Sequence, residues 1–346
     1  MMKGLDILKL FIYLTLMKFI VFLSVYFTSG QNFFYLITTR WDSKLFETIA
    51  QYGYVKSYLY AFPPIYPFLI NLVHNVTNNY YISAFVVTNI FGYLFPVIIY
   101  KTFDYNTALI VELFPIYVIY STLPYSDVIY LTAIALTFYF LKRDKILIAS
   151  TFMGFAIANF YSVALTLPSF IVELKKSFIK FIIIPLFSGF SIFAWYYIST
   201  GTPFYYFEIE KNTWGVKFTT PISQANWLLH GWFTTQDWTI LSIKLTPIDW
   251  LIRNLCFEIF FVILTINLVR LKDNNKWLYF TYSILVIIPL LFIIGTPAIS
   301  IPRILLSAFP AFYSLRIEGI WIILYVVISI ILTSLFTLWQ IYAFFA

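Results

Sequence analysis

Long apolar runs, separated by short loops with basic clusters, constrain what this chain can fold into more than any other feature. Eleven runs can be marked, and several are only about 15 residues long, against the roughly 20 that a helix needs to cross the hydrocarbon core of a bilayer. They predict an all-α, polytopic membrane protein with about eleven transmembrane helices, whose short spans need local bilayer thinning or packing on longer neighbours. The predicted spans are residues 7–28, 82–100, 107–123, 127–141, 146–160, 161–174, 178–199, 251–269, 277–295, 303–315 and 319–345.

The composition supports lipid as the solvent for much of the chain. Hydrophobic residues make up 61% of the 346 residues and charged residues 11%, whereas a soluble domain has about 25% charged residues. The net charge of +7 comes from basic residues spread over several loops rather than one contiguous face, which excludes nucleic acid as a partner. The single cysteine, Cys256, excludes a disulfide framework. Because no internal repeat divides the chain, we treat residues 1–346 as a single domain.

The distribution of Lys and Arg predicts the orientation. With a cytoplasmic N-terminus, 13 of the 22 basic residues fall in short inner loops, 8 in longer outer loops, and Lys18 within the first span, as the positive-inside rule requires. Two outer segments are then long, residues 29–81 and 200–250. Residues 65–76 predict a juxtamembrane helix in the outer interface. One alternative stays open: residues 146–174 form a helical hairpin, which we prefer, or one long helix, which would move Arg303 to the cytoplasmic side.

The first outer segment contains the strongest candidate for chemistry, Asp42. Apolar residues at helical spacing follow it and end at Gly53, which predicts a short helix over residues 43–52. A structural role for Asp42 is the N-cap of that helix. A functional role is a general base beside the aromatic side chain of Trp41. The pattern alone leaves both roles open.

Three further residues are candidates for the same site. Asp127 begins the fourth predicted span, where it is either an N-cap or a second carboxylate in a pocket shared with Asp42. Arg303, at the outer start of the tenth span, either snorkels to the interface or holds a lipid phosphate through its guanidinium. Arg40 offers the same phosphate-binding chemistry next to Asp42.

No pattern indicates a metal or a nucleotide cofactor. Glu208, Glu210 and His230 of the second outer segment lack metal-ligand spacing, and no P-loop or dinucleotide motif occurs. Glu112 lies inside the third predicted span, where a carboxylate is a functional candidate by default, although a single one is too little for a proton relay. Residues 75–77 fit an N-glycosylation sequon in the first outer segment.

Several of these residues lie in motifs that resemble a known family. The opening motif of the PIG-V family is R-W-D, F, I-A, G-Y and A-F-F-P-L-Y-P. Its spacing and most of its residue types are matched by Arg40-Trp41-Asp42, Phe46, Ile49-Ala50, Gly53-Tyr54 and residues 61–67, where a proline replaces the second Phe of the last element. Tyr125-Ser126-Asp127 resembles the Y-S-E segment of that family, with Asp for Glu. Residues 300–306 with Phe309-Pro310 resemble its late S-x-x-R-Y-L-L and F-P segment. The polar, Arg-containing step of the family near residues 158–162 is represented here only by Asn159.

The PIG-V family belongs to the GT-C membrane glycosyltransferases. The resemblance implies a GT-C-like fold and transfer of a sugar, usually mannose, from a polyprenyl (dolichyl) phosphate donor on the extracytoplasmic or lumenal face. It implies that Asp42 is the catalytic carboxylate. Arg40, Trp41, Asp127 and Arg303 are then the candidates for substrate binding, and the acceptor is a hydroxyl of a glycolipid or glycan.

Two rival functions remain on the sequence alone. A transporter or lipid flippase needs paired intramembrane charges or repeated broken helices, and we consider only Lys18 and Glu112 as candidates for such a pair. A non-catalytic subunit of a glycosylation complex would keep the fold without the activity. An assay with a polyprenyl-phosphate sugar distinguishes these functions.

Overall fold

The chain is almost wholly helical in a computed structural model, which describes residues 2–230, 239–240 and 243–343. Parts of the predicted outer segment 200–250 and the end of the last predicted span therefore lie outside the described residues. The α-helices are α1 (Met2–Ser29), α2 (Phe33–Thr39), α3 (Asp42–Tyr52), α4 (Ile65–Thr77), α5 (Tyr80–Thr102), α6 (Tyr105–Leu113), α7 (Pro115–Tyr120), α8 (Asp127–Leu141), α9 (Ile146–Asn159), α10 (Ser169–Leu174), α11 (Phe178–Thr200), α12 (Tyr205–Asn212), α13 (Pro221–His230), α14 (Pro247–Leu268), α15 (Lys276–Leu290), α16 (Thr296–Ile299), α17 (Ile301–Leu305) and α18 (Ile320–Ala343). The strands are β1 (Lys217–Phe218), β2 (Thr239–Ile240), β3 (Ile243–Lys244) and β4 (Ile293–Ile294), and 3₁₀ helices cover Gly30–Asn32, Ser57–Ala61, Tyr161–Thr166, Lys175–Ser177 and Leu306–Ser314.

Helices of membrane-spanning length confirm the class but not the number of spans. Within the described residues, five helical stretches are long and apolar enough to cross a bilayer, and three further apolar helices are shorter. The prediction of about eleven spans is therefore not met. The five stretches are Gly4–Thr39, Tyr80–Thr102, Ser169–Thr200, Pro247–Leu268 and Ile320–Ala343, and the shorter helices are α8, α9 and α15.

The predicted third span shows why the count was too high. Pro115 has no amide hydrogen and begins a new helix, so the apolar run over residues 107–123 divides into α6 and α7. Every residue from 107 to 135 is buried inside the protein, and broken backbone is tolerated at membrane depth where protein covers it. The runs over 161–174 and 303–315 likewise form short and 3₁₀ helices. An apolar run does not reveal whether lipid or protein covers it.

The chain between α9 and α11 forms a return, as the preferred hairpin requires. The Asn159 amide at the end of α9 donates to the Ser126 carbonyl at 3.2 Å, next to the start of α8. Residues 161–177 then lead back to the other end of α8, where Glu173 and Ser177 line a cavity of about 180 Å³ together with Lys142. The alternative of one helix over 146–174 is wrong, since α9 ends at Asn159.

The two ends of the helical bundle differ in what they carry. We call the end with residues 40–66 and 121–127 the loop end, and the opposite end, with residues 101–105 and 142–146, the far end. At the far end, Arg316 pairs with Asp104 at 2.5 Å and Lys142 with Asp273 at 3.5 Å. The predicted helices of the first outer segment form α3 and α4 at the loop end.

The second outer segment is joined to the loop that leads into α17. Strand β1 pairs antiparallel with β4, and the Gln224 amide donates to the carbonyls of Leu290 and Ile293 at 2.5 and 2.6 Å. Gly295 follows at a φ of +96°, and a Cβ atom there would lie 2.7 Å from the Trp214 carbonyl oxygen. These contacts fix the approach of the chain to Arg303.

Candidate active site

Three side chains far apart in the sequence meet at the loop end. Arg303 donates from Nη1 to the Asp42 carboxylate at 2.7 Å and from Nε to the Asp127 carboxylate at 2.8 Å. The side chain of Asp127 is 2% exposed, and those of Asp42 and Arg303 are 15% and 16% exposed. One guanidinium therefore bridges two carboxylates, and the Asp42 side retains access to solvent. Asp42 and Asp127 thus lie in one site, which was one of the two alternatives that the sequence left open.

Asp42 is held by an unusual turn of backbone. It is the first residue of α3, and its carboxylate makes no capping bond; the residue in the N-cap position is Trp41. Backbone carbonyls of Arg40 and Trp41 accept the first amide hydrogens instead. Trp41 has a φ of +51°, which is strained for a bulky side chain and characteristic of functional sites. The capping role for Asp42 is therefore wrong, although the helix itself ends at Gly53 as predicted.

Asp127 is the first residue of α8, and it too makes no capping bond. Its Oδ1 accepts from Arg303 and, at 3.2 Å, from the Tyr130 hydroxyl. Its Oδ2 is buried and has no hydrogen-bond partner among the described residues. The capping alternative is wrong here as well. The carboxylate instead fixes one side of the Arg303 guanidinium.

The segment before Asp127 is fixed by side chains from three helices. The Lys18 ammonium donates to the Ser121 carbonyl at 2.6 Å, and Thr88 donates to the Tyr125 carbonyl at 3.1 Å. Asn159 of α9 donates to the Ser126 carbonyl at 3.2 Å. Three carbonyls of the turn before Asp127 are thus held by side chains, and these bonds position Asp127.

Arg303 lies inward rather than at an interface, so the snorkelling alternative is wrong. Its guanidinium lies over the rings of Tyr120 and Tyr125, 5.4 and 4.8 Å from their centroids, in the geometry of a cation–π contact. The preceding carbonyls of Ile299 and Ala298 accept from Arg253 and Asn254 of α14. These bonds shape the turn from which Arg303 projects.

The remaining sequence candidates divide between near and distant positions. Trp41 adjoins Asp42, and its indole N–H donates to the Gln340 carbonyl at 2.6 Å. Arg40 is half-buried and makes no ion pair with Asp42 or Asp127 in the described structure. Glu112 is buried within α6, and neither of its oxygens has a hydrogen-bond partner there.

The sequence did not assign Glu210 or Glu47 to the site, although both carboxyl groups lie near it. Burial raises the pKa of the Glu210 carboxyl to about 7; a hydrogen bond from Tyr206 opposes the increase and the Asp42 carboxylate adds to it. Burial raises the pKa of Glu47 to about 8 against the opposing effect of Lys44. Glu47 follows Asp42 on α3, and its two carboxyl oxygens are buried without a hydrogen-bond partner. Neither residue stands in a pattern that predicts burial.

The described residues contain no group of three or more His, Cys, Asp and Glu side chains that could hold a metal ion. Glu208 and His230, the other acidic and imidazole side chains considered for such a site, are exposed. The side chains that meet at the described site are carboxylates, a guanidinium and aromatic rings. Comparisons of the chain with models of protein families, with curated proteins and with solved structures find no match.

Proposed function

We propose that the chain is an inverting membrane glycosyltransferase that moves a sugar, mannose by family resemblance, from a polyprenyl phosphate to a hydroxyl of a glycolipid or glycan. The observation that carries the proposal is the convergence of Asp42, Asp127 and Arg303. These three residues come from three separate motifs that carry the resemblance to the PIG-V family. If the three motif matches were due to chance, we would not expect their residues to meet in one ion-pair cluster.

The chemistry of such a transfer needs few groups. The acceptor oxygen attacks the anomeric carbon, the bond from that carbon to the phosphate oxygen breaks, and the polyprenyl phosphate leaves with the electron pair. Asp42 takes the proton of the acceptor hydroxyl, the usual task of a general base. Attack opposite the leaving group inverts the anomeric centre. No nucleotide takes part, because the lipid phosphate is already the leaving group.

Arg303 suits the second task, which is to balance charge. Its guanidinium has five N–H donors in a planar fork, and two of its nitrogens bond to carboxylates in this structure. Its other donors are available for a phosphate oxygen on which negative charge develops. Asp127 holds the fork in place, and Asp42 lies beside it at 2.7 Å.

The rival of a transporter or flippase has weaker support. Lys18 and Glu112 are both buried in the bundle, but no ion pair joins them in the described structure. Lys18 bonds instead to the Asn89 side chain and the Ser121 carbonyl, both at 2.6 Å, which is a structural arrangement. A non-catalytic subunit differs from an enzyme only in activity and is an outcome of the test below.

The test is transfer of radiolabelled mannose from synthetic polyprenyl-phosphate mannose to lipids in membranes that contain the protein. We expect transfer by wild type and a loss of roughly 10²- to 10⁴-fold in Asp42→Asn, the range for removal of a general base. The matched control is Asp104→Asn, which alters another Asp–Arg pair but at the far end. Unchanged transfer by Asp42→Asn overturns the base assignment. If wild type transfers no sugar to any lipid or glycan, the proposal that the chain is a glycosyltransferase is wrong.

A further inference from the structure

Gln340 is a fully buried amide in α18, a helix that contains no charged residue. A buried amide is costly unless its donor and acceptor are both satisfied. Its Oε1 accepts from the Tyr120 hydroxyl at 3.0 Å, and its Nε2 donates to the Tyr125 hydroxyl at 2.8 Å. One side chain therefore joins the two tyrosines.

Those two tyrosines are the rings beneath Arg303. Their centroids lie 5.1 Å apart with the rings nearly perpendicular, and the guanidinium packs over both. Because the amide holds both hydroxyls, it sets the spacing of the surface on which Arg303 lies. A shift of that surface would move the donors that bond to Asp42 and Asp127.

The backbone of the same residue holds the other partner of the ion pair. The Gln340 carbonyl accepts the indole N–H of Trp41 at 2.6 Å, and Trp41, whose φ is +51°, immediately precedes Asp42. Gln340 thus reaches Arg303 through its side chain and Asp42 through its main chain. The residues that Gln340 contacts, Trp41 and Tyr120, lie more than 200 residues before it in the sequence, so no local pattern reveals these contacts.

We propose that Gln340 is a positioning residue for the transfer reaction: it fixes the Tyr120–Tyr125 pair under Arg303 and thereby the geometry of the Asp42–Arg303 pair. This inference rests on the proposed function. The role suits a neutral amide, which accepts from one hydroxyl and donates to the other. A methionine of similar size offers neither bond. An ionised glutamate can accept from both hydroxyls, but it adds a buried negative charge that competes with Asp42 and Asp127 for Arg303.

The first test compares Gln340→Met and Gln340→Glu with Thr337→Val, a matched control that removes a buried hydroxyl one turn earlier on α18. The Thr337 hydroxyl has no hydrogen-bond partner in the described structure. We expect Gln340→Met to lower kcat on the order of 10²-fold, the effect of misplacing reacting groups by about 1 Å, with donor KM little changed. Thr337→Val should keep wild-type kcat within about twofold. Equal kcat values in Gln340→Met and Thr337→Val overturn the proposal.

The pH profile distinguishes positioning from a loss of packing. Among the described residues, the charged groups around this position include Arg303, Asp42 and Asp127 of the cluster and Arg253, whose guanidinium lies over Trp339. They are common to all the variants, so activity is compared as a ratio to wild type at each pH. We expect the ratio for Gln340→Glu to rise as pH falls and the new carboxyl gains its proton. The ratio for Gln340→Met should stay low at every pH, and parallel profiles overturn the role of a neutral amide.

A measurement without turnover separates this inference from the proposed function. We expect Asp42→Asn to lower the Tm of the detergent-solubilised protein less in a Gln340→Met background than in wild type, since interacting sites are not additive. Additive changes in Tm show that Gln340 does not hold the pair, whether or not the protein transfers sugar. If the changes in Tm are non-additive but wild type transfers no sugar, Gln340 still positions the Asp42–Arg303 pair, and only the proposed enzymatic function is wrong.

Discussion

Arg303 satisfies two carboxylates at once, and the three side chains are largely shielded from water. Breaking a buried ion pair by removing one partner is expensive because the other charge remains unpaired. At the scale of residues, the motifs in the sequence singled out Asp42, Asp127 and Arg303 but did not predict that Arg303 would pair with both carboxylates. The capping and snorkelling alternatives are local interpretations, and the contact between residues 42, 127 and 303, which is not local, replaces them. Gln340 and Tyr120 had no motif to mark them.

Replacing Arg303 should therefore cost both stability and activity. We expect Arg303→Met to lower the free energy of unfolding by about 3–5 kcal/mol, as for other buried pairs that lose one partner, and to abolish transfer. Arg303→Lys should retain part of the stability but not the fork that holds both carboxylates. Chemical denaturation in detergent measures the first effect and the mannose assay the second.

The matched control for Arg303 is Arg316, whose pair with Asp104 lies at the far end with side chains 48% and 31% exposed. Exposed pairs contribute about 0–1 kcal/mol, so Arg316→Met should change stability by no more than that. An equal loss in the two variants would show that the cluster at Arg303 has no special place in the fold.

Glu210 predicts a pH dependence in donor binding. Its pKa lies near 7, raised first by burial, so it gains negative charge as pH rises from 6 to 8. The extra charge lies near Asp42 and would repel a lipid phosphate. We expect donor KM to increase over that range and Glu210→Gln to remove the increase. Glu208→Gln, an exposed position on the same helix, should leave it; a KM that is flat with pH in wild type contradicts the prediction.

At the scale of elements, local signals predicted short helices well and spans poorly. The helix over 43–52, the helix over 65–76 and the return after Asn159 are present with bounds close to those expected. Each depended on a Gly or polar break or on amphipathic spacing that the sequence displays. The spans were overcounted because the residues of α6, α7 and most of α17 are buried by protein, whereas a spanning helix is apolar through contact with lipid. Hydropathy measures both kinds of burial alike.

The junction of β1, β4 and α16 depends on one glycine. In Gly295→Ala, the new Cβ would meet backbone atoms of residues 214 and 215 at less than 3 Å, at a φ of +96°. Overpacking of this kind typically costs about 1–3 kcal/mol, and the unfavourable φ adds to it. We expect a lower Tm and reduced transfer, because the segment leads directly into Arg303. Thermal unfolding in detergent measures the first effect.

Gly189 is the control for Gly295. It lies in α11 with open space where a Cβ would project, so Gly189→Ala should leave Tm unchanged or slightly higher. If Gly295→Ala matched Gly189→Ala, the contact between the second outer segment and α16 would have no part in holding the site.

At the scale of the whole molecule, the two ends of the helical bundle carry different features. The candidate site occupies the loop end, and the exposed Asn274, in the connection from α14 to α15, lies at the far end beside Asp273. Helix α5, with 23 residues, extends roughly 34 Å between the ends, enough to cross a hydrocarbon core of about 30 Å. The charge distribution predicts that the far end is cytoplasmic.

Labelling of single cysteines tests that orientation, because Cys256 is the only cysteine in the chain. In a Cys256→Ser background, Asn75→Cys on the exposed side of α4 should react with a membrane-impermeant maleimide on intact cells or sealed, right-side-out vesicles. Asn274→Cys should react only after permeabilisation. The reverse pattern would place Asp42 and Arg303 on the cytoplasmic side and require a donor in that leaflet. Equal labelling of both positions before permeabilisation would mean that α5 does not span the bilayer. Since neither variant removes a charge, the positive-inside signal that sets the orientation is the same in both.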